Sequence, residues 1–94
     1  MKKFIIERNL PGAGNLSAEE LQAISQASCS IVSQLGSSYQ WVVSYVTGDK
    51  LYCVHIAENE EAIREHARLG NFPINTVAEV RTVINPLTSN PLYA

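Results

Sequence analysis

The sequence lacks a block of like charge and a long hydrophobic run. Seven Lys and Arg residues oppose nine Asp and Glu residues, which leaves a formal net charge of −2 over 94 residues. Because there is no basic cluster to attract a polyanion, we expect no nucleic-acid partner. No apolar segment approaches the roughly 20 residues of a membrane-spanning helix, so we expect no membrane partner. A chain of this length is predicted to form one domain.

Cysteine and glycine motifs are also sparse. Cys29 and Cys53 are the only cysteines, too few for a disulfide framework. They are predicted to be free thiols in a reducing cytoplasm, with a single bond between them as the alternative. Gly12-Ala13-Gly14 lacks the third glycine and the Lys-Ser/Thr pair of a phosphate-binding loop, so it is predicted to be a connecting loop.

A β-hairpin is the most informative feature that is present. The stretch from Ser44 to Ala57 predicts two strands joined by Gly48-Asp49, because glycine accepts the positive φ that tight two-residue turns need. Side chains alternate across a strand, so the pairing predicts two faces. One face is predicted to carry Val42, Ser44, Val46, Leu51, Cys53 and His55, and the other Trp41, Val43, Tyr45, Tyr52, Val54 and Ile56. Both faces are largely apolar, so both should be covered.

Capping signals mark the starts of two helices. Ser17 and Glu20 have the spacing of a capping box, and Asn59 is a suitable N-cap. The predicted elements are a strand over 3–8, a helix over 17–35, the two hairpin strands, a helix over 59–69 and a strand over 77–84. This β-α-β-β-α-β order predicts the ferredoxin-like α+β fold, with two helices on one face of a four-stranded antiparallel sheet. The domain is predicted to span residues 1–85 and to be followed by a proline-containing tail, 86–94.

The second sheet face has no helices to cover it in this fold. It would expose several large apolar side chains, more than the surface of a soluble monomer usually shows. We therefore predict a homodimer in which the open sheet faces of two chains meet, an arrangement of the dimeric α/β-barrel type. Trp41, Tyr45 and Tyr52 would either pack in this interface or line an apolar cleft between the subunits.

Candidate metal ligands are concentrated on one side of the hairpin. Cys53 and His55 are two residues apart and share a face, and His66 is predicted on the inner side of the second helix. If the helices cover that face, the three side chains converge, and thiolate with imidazole suits a borderline divalent ion such as nickel or zinc. The alternative is a small buried cysteine with two hydrogen-bonded histidines.

Two glutamates lie within predicted strands. Glu79 alternates with Arg81 in the last strand, and its carboxylate either pairs with Arg81 or Arg8, or serves as a metal ligand or base. Glu7, beside Arg8 in the first strand, admits the same two interpretations.

Short motifs are spread over most of the chain. They are Glu7-Arg8 and Pro11-Gly12 near the start; Trp41 to Val46, Asp49-Lys50, Tyr52-Cys53-Val54 and Ala57 in the hairpin; and Glu60 to Arg64, Gly70, Phe72-Pro73 and Glu79-Val80 beyond it. In this combination, residues 4–84 resemble a family of small ferredoxin-like proteins long catalogued as a domain of unknown function. The best-described members of that family bind nickel.

The resemblance implies a homodimer with a divalent metal site and supplies no reaction. The recurrent polar residues of the family, at matching positions, are Glu7, Ser44, Tyr45, Asp49, Cys53 and Glu79. The chain departs from the family at His55, where members commonly carry tyrosine, so this position either adds a metal ligand or replaces a tyrosine role. The candidate ligands are Cys53, His55, His66 and Glu79, with nickel as the expected metal and zinc or another divalent transition metal as alternatives.

Three functional hypotheses follow. The leading one is a small cytoplasmic homodimer that binds a divalent transition metal, with no reaction assigned. The alternative is a dimeric α/β-barrel enzyme or small-molecule binder, monooxygenase- or isomerase-like, that uses a cavity between sheet and helices. The third is a structural interaction module with a packed core. A deep pocket between sheet and helices would favour the second hypothesis.

Overall fold

The protein is a four-stranded antiparallel sheet with two helices on one face. The computed structural model describes residues 1–91, so the end of the predicted tail lies outside the described residues. In chain order the elements are β1 (Lys2–Asn9), α1 (Ala18–Leu35), β2 (Gln40–Val46), β3 (Lys50–Ala57), α2 (Glu60–Gly70) and β4 (Thr76–Glu79), with 3₁₀ helices at Ala13–Asn15 and Pro86–Ser89. The strand order is β2-β3-β1-β4, and neighbouring strands are antiparallel. The predicted ferredoxin-like fold is confirmed. Over the described part of the chain, neither helix has the length and apolar character needed to cross a bilayer.

Both helices begin where capping chemistry predicts. Ser17 Oγ accepts a hydrogen bond from the N–H of Glu20 at 3.1 Å, and Glu20 Oε1 accepts one from the N–H of Ser17 at 3.0 Å. Asn59 Oδ1 accepts a hydrogen bond from the N–H of Ala62 at 2.9 Å. These bonds satisfy backbone donors at the helix starts, which have no partner within the helix. At the other end of α1, the cap is Gly36 with a φ of +91°, a value that favours glycine.

The hairpin turn is held by a threonine rather than by a left-handed glycine. Thr47 N–H donates to the carbonyl of Lys50 at 2.9 Å, and the Thr47 hydroxyl donates to the same oxygen at 2.9 Å. The N–H of Lys50 in turn donates to Thr47 Oγ1 at 3.1 Å. The predicted hairpin is therefore present, but Gly48 does not adopt the expected positive φ.

A β-bulge changes the predicted faces of β2. From Val46 back to Val43 the pairing with β3 follows the prediction, but Trp41 then lies opposite His55, and Val42 is the extra residue. A bulge adds one residue to a strand, so side chains beyond it point to the face opposite the one that simple alternation predicts. The prediction that Trp41 and His55 lie on different faces of the sheet is therefore wrong.

The last strand is shorter than predicted. β4 ends at Glu79, which lies opposite Phe4, whereas the pattern predicted a strand that continues to Ile84. The N–H of Val80 still donates to the carbonyl of Lys3 at 2.8 Å. Because β1 begins only just before Phe4, the chain beyond this bond has run past the end of its partner strand.

The helices cover the sheet face that carries Cys53 and His55. The buried apolar core contains Phe4, Ile6, Tyr39, Cys53, Ala57 and Ile63. His66 of α2 is buried, as predicted for the inner side of this helix, and Ala67 beside it is buried as well. On the opposite face of the sheet, Ile5 is 43% exposed and Tyr45 is 60% exposed.

Candidate functional site

A cavity of about 170 Å³ lies between the helices and the covered face of the sheet. Its apolar wall includes Leu21 and Ile24 of α1, Leu51 of β3, and Trp41, which the bulge turns to this side. Its polar wall includes Arg8, Ser28, Ser44, Cys53, His55 and His66. A largely apolar cavity with a few convergent polar groups is typical of small-molecule sites.

Two histidines form the centre of the polar wall. The Tyr39 hydroxyl and His55 Nδ1 are joined by a hydrogen bond of 2.5 Å, and Ser28 Oγ and His66 Nε2 by one of 3.1 Å. The two imidazole rings meet edge to face with centroids 4.8 Å apart, and the Tyr39 ring stacks parallel to His66 at 5.3 Å. His66 Nδ1 is buried and has no hydrogen-bond partner among residues 1–91. The cluster is therefore packed and oriented, with one polar atom left unsatisfied.

Burial keeps this cluster uncharged at neutral pH. It lowers the pKa of His55 to about 3, with repulsion by His66 and Arg8 adding to the effect. It likewise lowers the pKa of His66 to about 4, with Arg8 as the second cause. Burial raises the pKa of the Tyr39 phenol, which stays protonated. Charged forms are disfavoured in each case because the surroundings cannot solvate them.

Arg8 is the buried cation of the cavity wall. The residue is only 3% exposed, although a charged arginine is rarely buried without a charged partner. Its Nη1 donates to the carbonyl of Pro73 at 2.8 Å, and its guanidinium carbon lies 5.6 Å from the centroid of the Phe72 ring. Within residues 1–91 no carboxylate lies within ion-pair distance of it. The predicted alternative of a pair between Arg8 and Glu79 is therefore not formed.

The structure brings three of the four predicted ligands to one cavity. Cys53, His55 and His66 all line it. Glu79 lies apart, on the edge strand β4, where its carboxylate approaches Lys2 Nζ at 4.0 Å and Arg81 Nη1 at 3.9 Å. The predicted pairing of Glu79 with Arg81 is thus present as a long contact.

Two other polar residues singled out by the resemblance, Glu7 and Asp49, have structural partners outside the histidine cluster. Glu7 forms an ion pair with Lys50 that lowers the pKa of its carboxyl, and it also accepts a hydrogen bond from Thr76 Oγ1 at 3.3 Å. Asp49 Oδ1 accepts a hydrogen bond from the N–H of Gly12 at 2.9 Å and so joins two loops.

Trp41 lies apart from Tyr45 and Tyr52, with which it was predicted to form a subunit interface or a cleft. Ser44 Oγ accepts a hydrogen bond from Trp41 Nε1 at 2.9 Å on the cavity side of the sheet. Tyr45 and Tyr52 pair with each other across β2 and β3 and point to the opposite face. Trp41 therefore belongs to the cavity wall and cannot share a surface with the two tyrosines.

Sequence reasoning did not include Arg8, Ser28, Tyr39 or Phe72 in the site. For Arg8 a signal was present. Phe4, Ile6 and Arg8 occupy every second position of β1 and so share one face, and the first two are core residues. Tyr39 precedes β2 in a loop, and Phe72 follows α2, so no periodicity places either side chain.

Residues 4–80 match the family described as nickel responsive protein SCO4226-like. The chain belongs to this family. Its fold is also similar to the crystal structure of SCO4226 from Streptomyces coelicolor A3(2), with a TM-score of 0.73 and 13% sequence identity over 87% of this chain and 99% of that one. At this identity the likeness shows the fold alone. The search of curated proteins finds no match.

The family description raises the question of whether these residues fit a nickel ion. Over residues 1–91, no group of three or more His, Cys, Asp and Glu side chains is arranged to hold a metal. One nitrogen of each histidine is engaged by Tyr39 or Ser28, and the Arg8 cation borders the same space. A divalent cation would be repelled by that charge. As arranged in one chain, the cluster does not fit nickel.

Proposed function

We propose that this member of the nickel-responsive family binds a small organic molecule in the cavity between its sheet and helices, without an assigned reaction. The observation that carries the proposal is the cavity itself, which occupies a position where a packed core would exclude ligands. A dry, apolar engineered cavity of about 150 Å³ holds benzene. A cavity of about 170 Å³ therefore has room for one ring or a short aliphatic chain.

The test uses Trp41, the one tryptophan of the chain, as a reporter in the cavity wall. Ligand-observed NMR and Trp41 fluorescence would be recorded with benzoate, benzamide, hexanoate and cyclohexanol at up to millimolar concentration. We expect at least one compound to bind the wild type. Ser25→Leu, which fills the cavity from α1, should weaken that binding at least about tenfold, since a filled site excludes the ligand.

Ser30→Leu is the matched control, because Ser30 is an exposed serine of the same helix. It should bind as the wild type does. If no compound bound the wild type, or if Ser25→Leu and Ser30→Leu behaved alike, the cavity would not be a ligand site.

A second candidate function is binding of a divalent transition metal, nickel first, by Cys53, His55 and His66. It is supported by the family description and by the shared position of the three side chains on the cavity wall. His66 Nδ1, which has no hydrogen-bond partner within residues 1–91, also supports it. Thiolate and imidazole are suitable ligands for nickel and zinc. The side chains would have to rearrange from their present hydrogen bonds for this function.

Metal content by mass spectrometry, after incubation with nickel or zinc and desalting, separates the two candidates. Stoichiometric metal in the wild type that is lost in Cys53→Ala, and kept in Cys29→Ala, would support the metal site. Cys29 is the suitable control because it is the exposed free cysteine, whereas Cys53 is buried. Metal retained equally by both variants would exclude Cys53 as a ligand.

We further propose that the protein is a cytoplasmic homodimer that pairs through its open sheet face. The exposed Tyr45 and Ile5 on that face support the proposal, since uncovered apolar patches mark interaction surfaces. Sedimentation equilibrium should give a dimer for the wild type and a monomer for Tyr45→Glu. Leu87→Glu, an equally polar change at an exposed site outside the sheet, should leave the dimer intact. A monomeric wild type at tens of micromolar would contradict the proposal.

A further inference from the structure

The most unusual group of the molecule is the guanidinium of Arg8. It is almost completely buried on β1, and its neighbours are the carbonyl of Pro73 and the face of Phe72. An arginine carries five N–H donors, and the bond to Pro73 uses one of them. A buried cation without a counter-charge is costly, and a carbonyl and an aromatic face compensate it only in part. The site therefore retains unused capacity to bind an anion.

The rest of the cavity supplies no negative charge. Of the described residues that line it, none is Asp or Glu, and burial keeps both histidines neutral. In a partly enclosed apolar space the field of one cation is screened less than at the surface. An anion that entered this cavity would meet Arg8 as its counter-ion.

A second polar group of the cavity wall, His66 Nδ1, has no hydrogen-bond partner within residues 1–91. Ser28 Oγ and His66 Nε2 share a hydrogen bond, and in the neutral tautomer in which the hydroxyl is the donor, the ring carries its proton on Nδ1 and can donate it to a ligand oxygen. That nitrogen is buried and finds no acceptor within residues 1–91. An unpaired buried donor costs free energy, which a ligand oxygen would recover.

We propose that the natural ligand of this cavity is a small organic carboxylate, with its carboxylate on Arg8 and its apolar body against Leu21, Ile24 and Trp41. The inference rests on the proposed function and specifies its ligand. A carboxylate matches the planar donor fork of arginine, which binds it through two parallel hydrogen bonds. The cavity volume of about 170 Å³ limits the apolar body to about one ring.

Benzoate and benzamide test the inference, because they have nearly the same shape and differ in charge. In isothermal titration of the wild type we expect benzoate to bind roughly 10- to 100-fold more tightly than benzamide, as is typical of a charge-assisted hydrogen-bonding pair. Arg8→Met keeps the length of the side chain and removes the charge, so it should abolish this preference. Arg81→Met removes the charge of an exposed arginine and should leave the preference unchanged.

The outcomes separate the inference from the proposed function. Equal binding of benzoate and benzamide by the wild type would overturn the inference that the ligand is a carboxylate. The cavity would then remain a binding site for neutral molecules. The inference would also be overturned if phenyl phosphate bound more tightly than benzoate with the same dependence on Arg8. The ligand would then be a phosphate rather than a carboxylate. Binding of no compound at all would overturn both. The comparison within the wild type is informative even if Arg8→Met does not fold.

Discussion

Lowering the pH from 7 to 5 is expected to reduce the free energy of unfolding by about 4 kcal/mol, or about 2 kcal/mol for each histidine. His55 and His66 are both neutral in the native state, with pKa values of about 3 and 4, whereas an unfolded chain titrates near 6.5. Between these values the unfolded state binds more protons than the native state, so stability rises with pH across this window. The full stability is present above about pH 6.5 and is lost as the pH falls.

The window from pH 7 to 5 isolates the two histidines. The carboxyl pKa values of Glu7, Glu20 and Glu65 are lowered in the native state, so their contributions to stability are lost only at more acidic pH. Urea unfolding at pH 7, 6 and 5 would measure the effect. His66→Gln, which does not titrate, should show about half the pH dependence of the wild type, whatever its stability at pH 7. A flat profile for the wild type would show that the native histidines are solvated.

Local chemistry was sufficient to predict most of the fold. The capping box at Ser17, the N-cap at Asn59 and the Gly48-Asp49 hairpin each depend on residues close in sequence, and each is present in the structure. The bulge at Val42 depends on how a whole strand fits its neighbour, and no residue near Val42 signals it. This one extra residue moves Trp41 from the open face to the cavity wall.

The site was only partly predictable, because some of its contacts join residues that are far apart in sequence. Alternation correctly placed Cys53 and His55 on one face, and helical periodicity placed His66 on the inner side of α2. The hydrogen bond between Tyr39 and His55, and the burial of Arg8 against Pro73 and Phe72, depend on contacts between distant parts of the chain. Without them the cluster resembled a metal site, whereas the buried cation makes a cavity for an anion the better interpretation.

A second large effect is expected from Gly70→Ala at the end of α2. A Cβ atom at this position would stand 2.6 Å from Phe72 Cδ2 and 2.7 Å from Ile31 Cδ1, distances that real contacts do not reach. Alanine favours a helix over glycine by up to about 1 kcal/mol, and overpacking costs about 1–3 kcal/mol. The cost of overpacking should exceed the gain in helix propensity. The Phe72 ring cannot move aside freely, because it is also stacked on His66 with centroids 5.4 Å apart.

We therefore expect Gly70→Ala to lower the free energy of unfolding by about 2 kcal/mol, measured by urea denaturation. Gly48→Ala is the matched control, because a Cβ there meets nothing within 4 Å and its φ lies outside the positive range. It should change stability by less than about 0.5 kcal/mol. Because Phe72 also faces Arg8, Gly70→Ala should in addition weaken ligand binding in the cavity, which Gly48→Ala should not. Equal stability of the two variants would mean that Phe72 can move away freely, and that the packing of Arg8 against its ring does not constrain the site.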